Sequence, residues 1–218
     1  MKKKIGVVLS GCGVYDGSEI HEAVFTLLAI DRNGGEAICM APDIELSEVN
    51  HITGQPSGAK RSVLAESARI ARGRIRNIAE VQAGELDAII FPGGYGAAKN
   101  LCNFAEKGAE ASIQPEVARL LRDMAKAKKP ICAICIAPAL IAATLGKEYA
   151  PQVTIGTDAG TAAAIGQTGS VHVECPVTEF VVDKERRIVS TPAYMLAERI
   201  SEAAEGIEKA VKATLEMA

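Results

Sequence analysis

Between Ile131 and Leu145 the chain passes from an apolar run of strand length to one of helix length, with only Cys135 and Ile136 between them. No loop separates the two, so any fold the chain adopts must join a strand to the next helix by a sharp turn. Such a turn folds the backbone against itself and needs small side chains two positions to either side of its apex. Ala133 and Ala137 supply them around Cys135. Pro138 suits a first helical turn, where its missing N–H would be unpaired anyway. The helix start would aim its free N–H groups at the Cys135 sulfur and lower the thiol pKa, which makes Cys135 a candidate nucleophile. The plainer reading is a core cysteine on an ordinary strand-helix unit, since free Cys is among the most buried residue types.

The same alternation runs through most of the chain. Ile5 to Leu9 precedes the helix-period segment Ser18 to Asn33, Ala37 to Ala41 ends at Pro42, and Ala88 to Phe91 ends at Pro92, Gly93 and Gly94. Glu116 to Lys126 leads into Ile131 to Cys135. Strands alternating with helices predict a parallel sheet covered by helices on both faces. Later, Val171 to Cys175, Glu179 to Val182 and Ile188 to Ser190 read as short strands, the last two joined by the charged turn Asp183 to Arg187. A final helix is expected from Ala193 to about Glu216. Residues 43 to 84 fit neither pattern and are expected to form an insertion over the sheet.

With 218 residues and 48% apolar content, the chain can bury a substantial core as one domain spanning 1–218. The apolar run after Met1 is too short for a signal-peptide core or a membrane span, so a cytoplasmic address and no membrane partner are expected. Six scattered cysteines in a chain of this size read as reduced thiols. Cys132 and Cys135 would point to opposite faces of a strand, and no second pair or His stands at a zinc-like spacing, so no metal is expected. A net charge of −3 with no Trp argues against a nucleic-acid partner. The one basic stretch, Lys60 to Arg76, reads either as a solvated helix face or as a cap steering small anionic or carbonyl compounds into a cleft.

Ligands of such sheets bind beyond the carboxyl ends of the strands. Three loops converge there: Ser10 to Gly17, Phe91 to Asn100 and the Cys135 turn. Gly11, Gly13 and Gly17 resemble a dinucleotide fingerprint only loosely, because Tyr15 and Asp16 crowd the place of a pyrophosphate. The second loop lacks the Lys-Ser/Thr ending of a phosphate loop. Its Gly93 and Gly94 read better as backbone N–H groups that, with Ile136 or Cys135 itself, form an oxyanion hole. Cys12, Tyr15, Gly93 and Tyr95 stand in these loops as candidate pocket residues. Of the three histidines, His21, His51 and His172, none neighbours Cys135 in sequence. Glu19 and Glu22 are alternative bases, but a helical wheel centred on Ile20, Val24 and Leu27 puts Glu22 away from the apolar stripe and Glu19 at its margin.

Four motifs in order carry a family resemblance over nearly the whole chain: Ser10 to Glu22, Pro92 to Leu101, Cys135 to Pro138 and Thr191 to Leu196. Together they resemble the enhancing lycopene biosynthesis protein family, also called a glyoxalase, within the PfpI-type, class I glutamine amidotransferase-like superfamily. The resemblance implies a flavodoxin-like three-layer sandwich with a mainly parallel sheet, a cysteine on the elbow, and usually a homodimer. It also implies that a glutamate of the first helix contacts the cysteine, and the motif match makes that residue Glu22, against the wheel. Ile136 stands where amidotransferase and protease members carry a His, so glutamine hydrolysis and peptide cleavage are not expected.

The expected function is a glutathione-independent, cofactor-free glyoxalase of the lyase class, also describable as a deglycase. It would convert glyoxal, with methylglyoxal as a further candidate, through a Cys135 hemithioacetal with Glu22 as proton shuttle and Gly94 and Ile136 as oxyanion donors. Competing readings are a thiol-based oxidation sensor or chaperone-like protein, and a non-catalytic factor affecting isoprenoid synthesis. The roles of Asp158 and His172 stay open.

Overall fold

The apolar runs become the strands of one sheet. A computed structural model describes residues 2–218. In chain order, β1 (Lys4–Val8), α1 (Ile20–Arg32) and β2 (Glu36–Ala41) open the fold. The hairpin β3 (Glu45–Asn50) and β4 (Gln55–Ser62), then α2 (Val63–Ile70) and β5 (Arg76–Asn77), follow. Next come β6 (Ala88–Phe91), the short helices α3 (Tyr95–Lys99) and α4 (Phe104–Lys107), α5 (Pro115–Lys126), β7 (Ile131–Ile134) and α6 (Ala137–Tyr149). The chain closes with β8 (Gln152–Val153), α7 (Ala159–Gln167), β9 (Val171–His172), β10 (Val181–Asp183), β11 (Ile188–Thr191) and α8 (Ile200–Met217).

The main sheet runs in the order β10-β11-β7-β6-β1-β2-β5. Every neighbouring pair is parallel except β10 with β11. Successive side chains of a strand face opposite ways, and β7 shows the result. Ile131 and Ala133 join Leu120, Leu121, Leu140 and Leu145 from α5 and α6 on one face. Cys132 and Ile134 join Ala23 and Ile30 of α1 and Ile207 and Val211 of α8 on the other. Burying each large aliphatic side chain contributes roughly 1.5–3 kcal/mol, and the central strands β6 and β7, covered on both faces, are buried and apolar throughout. The result is the expected flavodoxin-like, three-layer α/β sandwich.

Three details depart from the sequence reading. The stretch 43–84 is more than an insertion: after the β3–β4 hairpin and α2, β5 returns to extend the main sheet beside β2. Its basic residues share no helix face. Lys60 pairs with Glu45, Arg61 with Glu48 and Glu66, Arg69 with Glu66 and Arg76 with Glu85, and none of these cations lines the cleft at Cys135. The last helix starts at Ile200 and not at Ala193, because Ala193–Met195 forms a separate 3-10 turn after Pro192, with Ala193 at φ 42°.

Candidate active site

Cys135 follows β7 directly and takes φ 61°, in the left-handed region that side-chain-bearing residues rarely occupy. Its N–H is tied to the Thr191 carbonyl of β11 at 2.9 Å, and α6 begins at Ala137 with Pro138 in its first turn. The sharp strand-to-helix turn expected from the sequence is therefore present. The Cys135 side chain is nearly covered, with the residue 8% exposed.

Glu22 sits against it. Although the residue lies on α1, its carboxylate is fully buried and accepts the Gly93 N–H on Oε2 at 3.0 Å and the Tyr194 N–H on Oε1 at 3.1 Å. Glu22 and Cys135 are near enough to shift each other's titration, and the Gly94 and Ile136 N–H groups lie near enough to the Cys135 thiol to lower its pKa. The loop after β6 can approach this closely only because Gly93 lacks a side chain: a Cβ there would lie 2.5 Å from Glu22 Oε2 and would strike Cys135. Gly94, at φ 94°, takes a conformation open to glycine, and a Cβ there would strike the backbone of Gly17 to Glu19.

Burial pushes the Glu22 carboxyl up to about 8, with repulsion from Glu19 adding to it, against the hydrogen bonds from Tyr194, Cys135 and Gly93. The carboxyl therefore carries its proton at neutral pH. Burial, and next the Glu22 charge, push the Cys135 thiol well up, while the Gly94 and Ile136 N–H groups pull it down. This corrects the expectation that the helix start alone would lower the thiol pKa: desolvation outweighs it. A proton on Glu22 removes the repulsive part of that rise, so the pair behaves as one unit that resists a second negative charge.

Glu19, the other candidate base, caps α1: its Oε2 accepts the Glu22 N–H at 2.7 Å. The wheel misplaced Glu22 because two of the three residues it was centred on, Ile20 and Val24, face outward, and Leu27 packs on the core only in part. Ile20, Val24 and Leu28 are 43%, 45% and 41% exposed, whereas Glu22, Ala23, Thr26, Ala29 and Ile30 are buried.

A cleft of about 580 Å³ opens over Cys135, and Tyr95 and Ile136 line it. Of the other candidate pocket residues, Gly93 lies beneath it, holding Glu22. Cys12 and Tyr15 do not line it: Cys12 lies near Glu66, Arg69 and Asp16, and the Tyr15 ring stacks with His51 at 5.0 Å. His172 accepts the Ile155 N–H at 3.3 Å, away from the sulfur, and Asp158 caps α7 at the cleft rim through Thr161. Sequence reasoning gave no role to Tyr194, whose backbone holds Glu22 and whose hydroxyl pairs with His21 Nδ1 at 2.9 Å. Its position just beyond a strand end was the available signal. Among the described residues, no group of three or more His, Cys, Asp or Glu could hold a metal ion, and no helix is long and apolar enough to cross a membrane.

Residues 75–154, which span β5 to β8 and include the Gly93 loop and the Cys135 turn, match the model of the DJ-1/PfpI family. The rat "ES1 protein homolog, mitochondrial" is 44% identical over 99% of this chain and 84% of that protein. This chain belongs to the DJ-1/PfpI family. A human relative, "Glutamine amidotransferase-like class 1 domain-containing protein 3, mitochondrial", is also 44% identical, over 98% of this chain and 83% of its own length. A crystal structure described as an isoprenoid biosynthesis protein with amidotransferase-like domain, from Ehrlichia chaffeensis, superposes with a TM-score of 0.94 at 38% identity, covering 99% of both chains. The family match agrees with the resemblance read from the motifs. The mitochondrial names of the rat and human relatives overturn the cytoplasmic address expected above. That expectation rested on the short apolar run after Met1, and a run too short for a secretory leader says nothing about other addresses.

Proposed function

We propose that the protein is a glutathione-independent glyoxalase acting on 2-oxoaldehydes through Cys135 and Glu22. The observation that carries this reading is a fully buried carboxyl, raised to about 8 and held by the Gly93 and Tyr194 N–H groups, packed beside a thiol whose pKa two further backbone N–H groups lower. A group titrating near neutrality can both take and return a proton.

The Cys135 S–H adds across the aldehyde C=O: the C–S bond forms and the oxygen, held by Gly94 and Ile136 N–H groups, takes the proton. Glu22, in the ionised form that a carboxyl raised to about 8 holds as a minor fraction at neutral pH, then moves the proton from that carbon to the neighbouring carbonyl carbon, while the hydroxyl proton passes to that second carbon's oxygen. The first carbon is thereby oxidised to a thioester while the second is reduced to an alcohol. Water breaks the C–S bond and releases a 2-hydroxy acid and the free thiol, so no external oxidant or reductant is consumed.

The decisive experiment is a kinetic trace of glyoxal loss with purified wild type beside Cys135→Ala. Loss with the first and none with the second supports the reading. Equal traces overturn it.

A further inference from the structure

The volume and walls of the cleft say more about the substrate than the Cys135–Glu22 pair does. At about 580 Å³ it is far larger than glyoxal requires and lies within the about 300–1,000 Å³ of pockets that enclose drug-sized ligands. Val14, Ala98, Phe104, Ala164, Ile136 and Met195 contribute apolar walls. Phe104, on α4, is 7% exposed and presents a fixed aromatic surface a short helix away from the Gly94 loop.

The charged groups of the lining have one sign. Glu19 and Asp158 both line the cleft, and no Lys or Arg does. Asp158 is kept ionised by the Thr161 N–H at 2.7 Å, which holds its carboxyl below the usual range. Lys99, which does not line the cleft, lies over the ring of Tyr95, which does, with Nζ 4.9 Å from its centroid. An anionic substrate would meet two carboxylates and no cationic partner among the lining residues, whereas an uncharged apolar group would replace water along the walls.

We propose that the site takes 2-oxoaldehydes whose second carbon bears an uncharged apolar group of about the size of an aromatic ring, in preference to glyoxal and to acidic analogues. This rests on the glyoxalase reading above and narrows its substrate class. The chemistry is unchanged: R–CO–CHO plus water gives R–CHOH–COOH, with R seated against Phe104 and away from Glu22. One methylene in an apolar pocket is worth roughly 10–200-fold in kcat/KM, so a ring-sized group should gain at least the lower end of that range.

The test measures kcat/KM for glyoxal, methylglyoxal, phenylglyoxal and 4-carboxyphenylglyoxal, with Cys135→Ala as the blank for uncatalysed loss. Phenylglyoxal should exceed glyoxal by about tenfold or more, mostly through KM, and the carboxylated analogue should fall below phenylglyoxal by a similar factor. Phe104→Ala should shrink the phenylglyoxal-to-glyoxal ratio. Should that variant fail to fold, the wild-type series decides alone. Glyoxal consumed as well as phenylglyoxal would overturn the substrate assignment and leave the glyoxalase reading standing. No Cys135-dependent loss of any of the four, in protein whose Cys135 still reacts with iodoacetamide, would remove both.

Discussion

The backbone N–H of Gly93 donates to Oε2 of Glu22 at 3.0 Å, joining residues that the sequence separates by 71 positions. Gly93→Ala would force a Cβ into the space that Glu22 and Cys135 occupy. Overpacking of this kind costs about 1–3 kcal/mol. The expected outcome is a folded but less stable protein with aldehyde turnover near background, read by denaturant unfolding and by the glyoxal assay. A Gly93→Ala variant with wild-type values in both would mean the carboxylate is free to move.

Glu22→Gln keeps the shape of the side chain but cannot shuttle a proton, so turnover should fall by roughly 10² to 10⁴. Glu19→Gln retains a carbonyl oxygen able to cap the Glu22 N–H and should lose far less. Steady-state rates of the two variants side by side test the assignment, and the reverse ranking would move the base one helical turn toward the start of α1.

Stability should depend on pH through Glu22. The carboxyl titrates at 4.5 when unperturbed and at about 8 in the folded protein. Between those values the folded state holds a proton that the unfolded state has lost, so stability falls as pH rises through the window. The contribution is fully present below 4.5 and lost above about 8. The slope from this group is at most about 1.4 kcal/mol per pH unit. Urea unfolding at several pH values should show a decline that Glu22→Gln flattens, and identical profiles for the two proteins would contradict the burial argument.

Ile20, Val24 and Leu28 form an outward apolar stripe on α1, and such a patch is expected to be covered by a second copy of the chain. Light scattering at micromolar concentration should report a dimer, and Val24→Glu should shift it toward monomer. A wild-type monomer would remove the proposal.

Much of the fold was legible in the sequence because the strands are buried on both faces and read as unbroken apolar runs, from Ile5 to Leu9 through Ile131 to Ile134. The Cys135 turn was legible for a local reason, the small residues Ala133 and Ala137 flanking its apex. Glu22 was not legible from pattern. A wheel assigns apolar positions to the core, and on α1 three large ones, Ile20, Val24 and Leu28, face outward while Glu22 points in, held by hydrogen bonds from Gly93 and Tyr194. Only the motif resemblance selected it. Tyr194 escaped because it acts through its backbone N–H, which leaves no trace in residue type, and β5 escaped because a two-residue edge strand has no period.

The grip on Glu22 also bears on the protein's life before it is finished. Oε1 and Oε2 are held from two loops, one of which lies 172 residues further along the chain. A nascent or truncated molecule lacking Tyr194 would already contain Cys135 and Glu22 as ordinary side chains in water, an acid ionised at neutral pH and a thiol with no partner. The buried pairing of Glu22 with Cys135 that the proposed reaction needs therefore forms only once the turn after β11 has docked on α1.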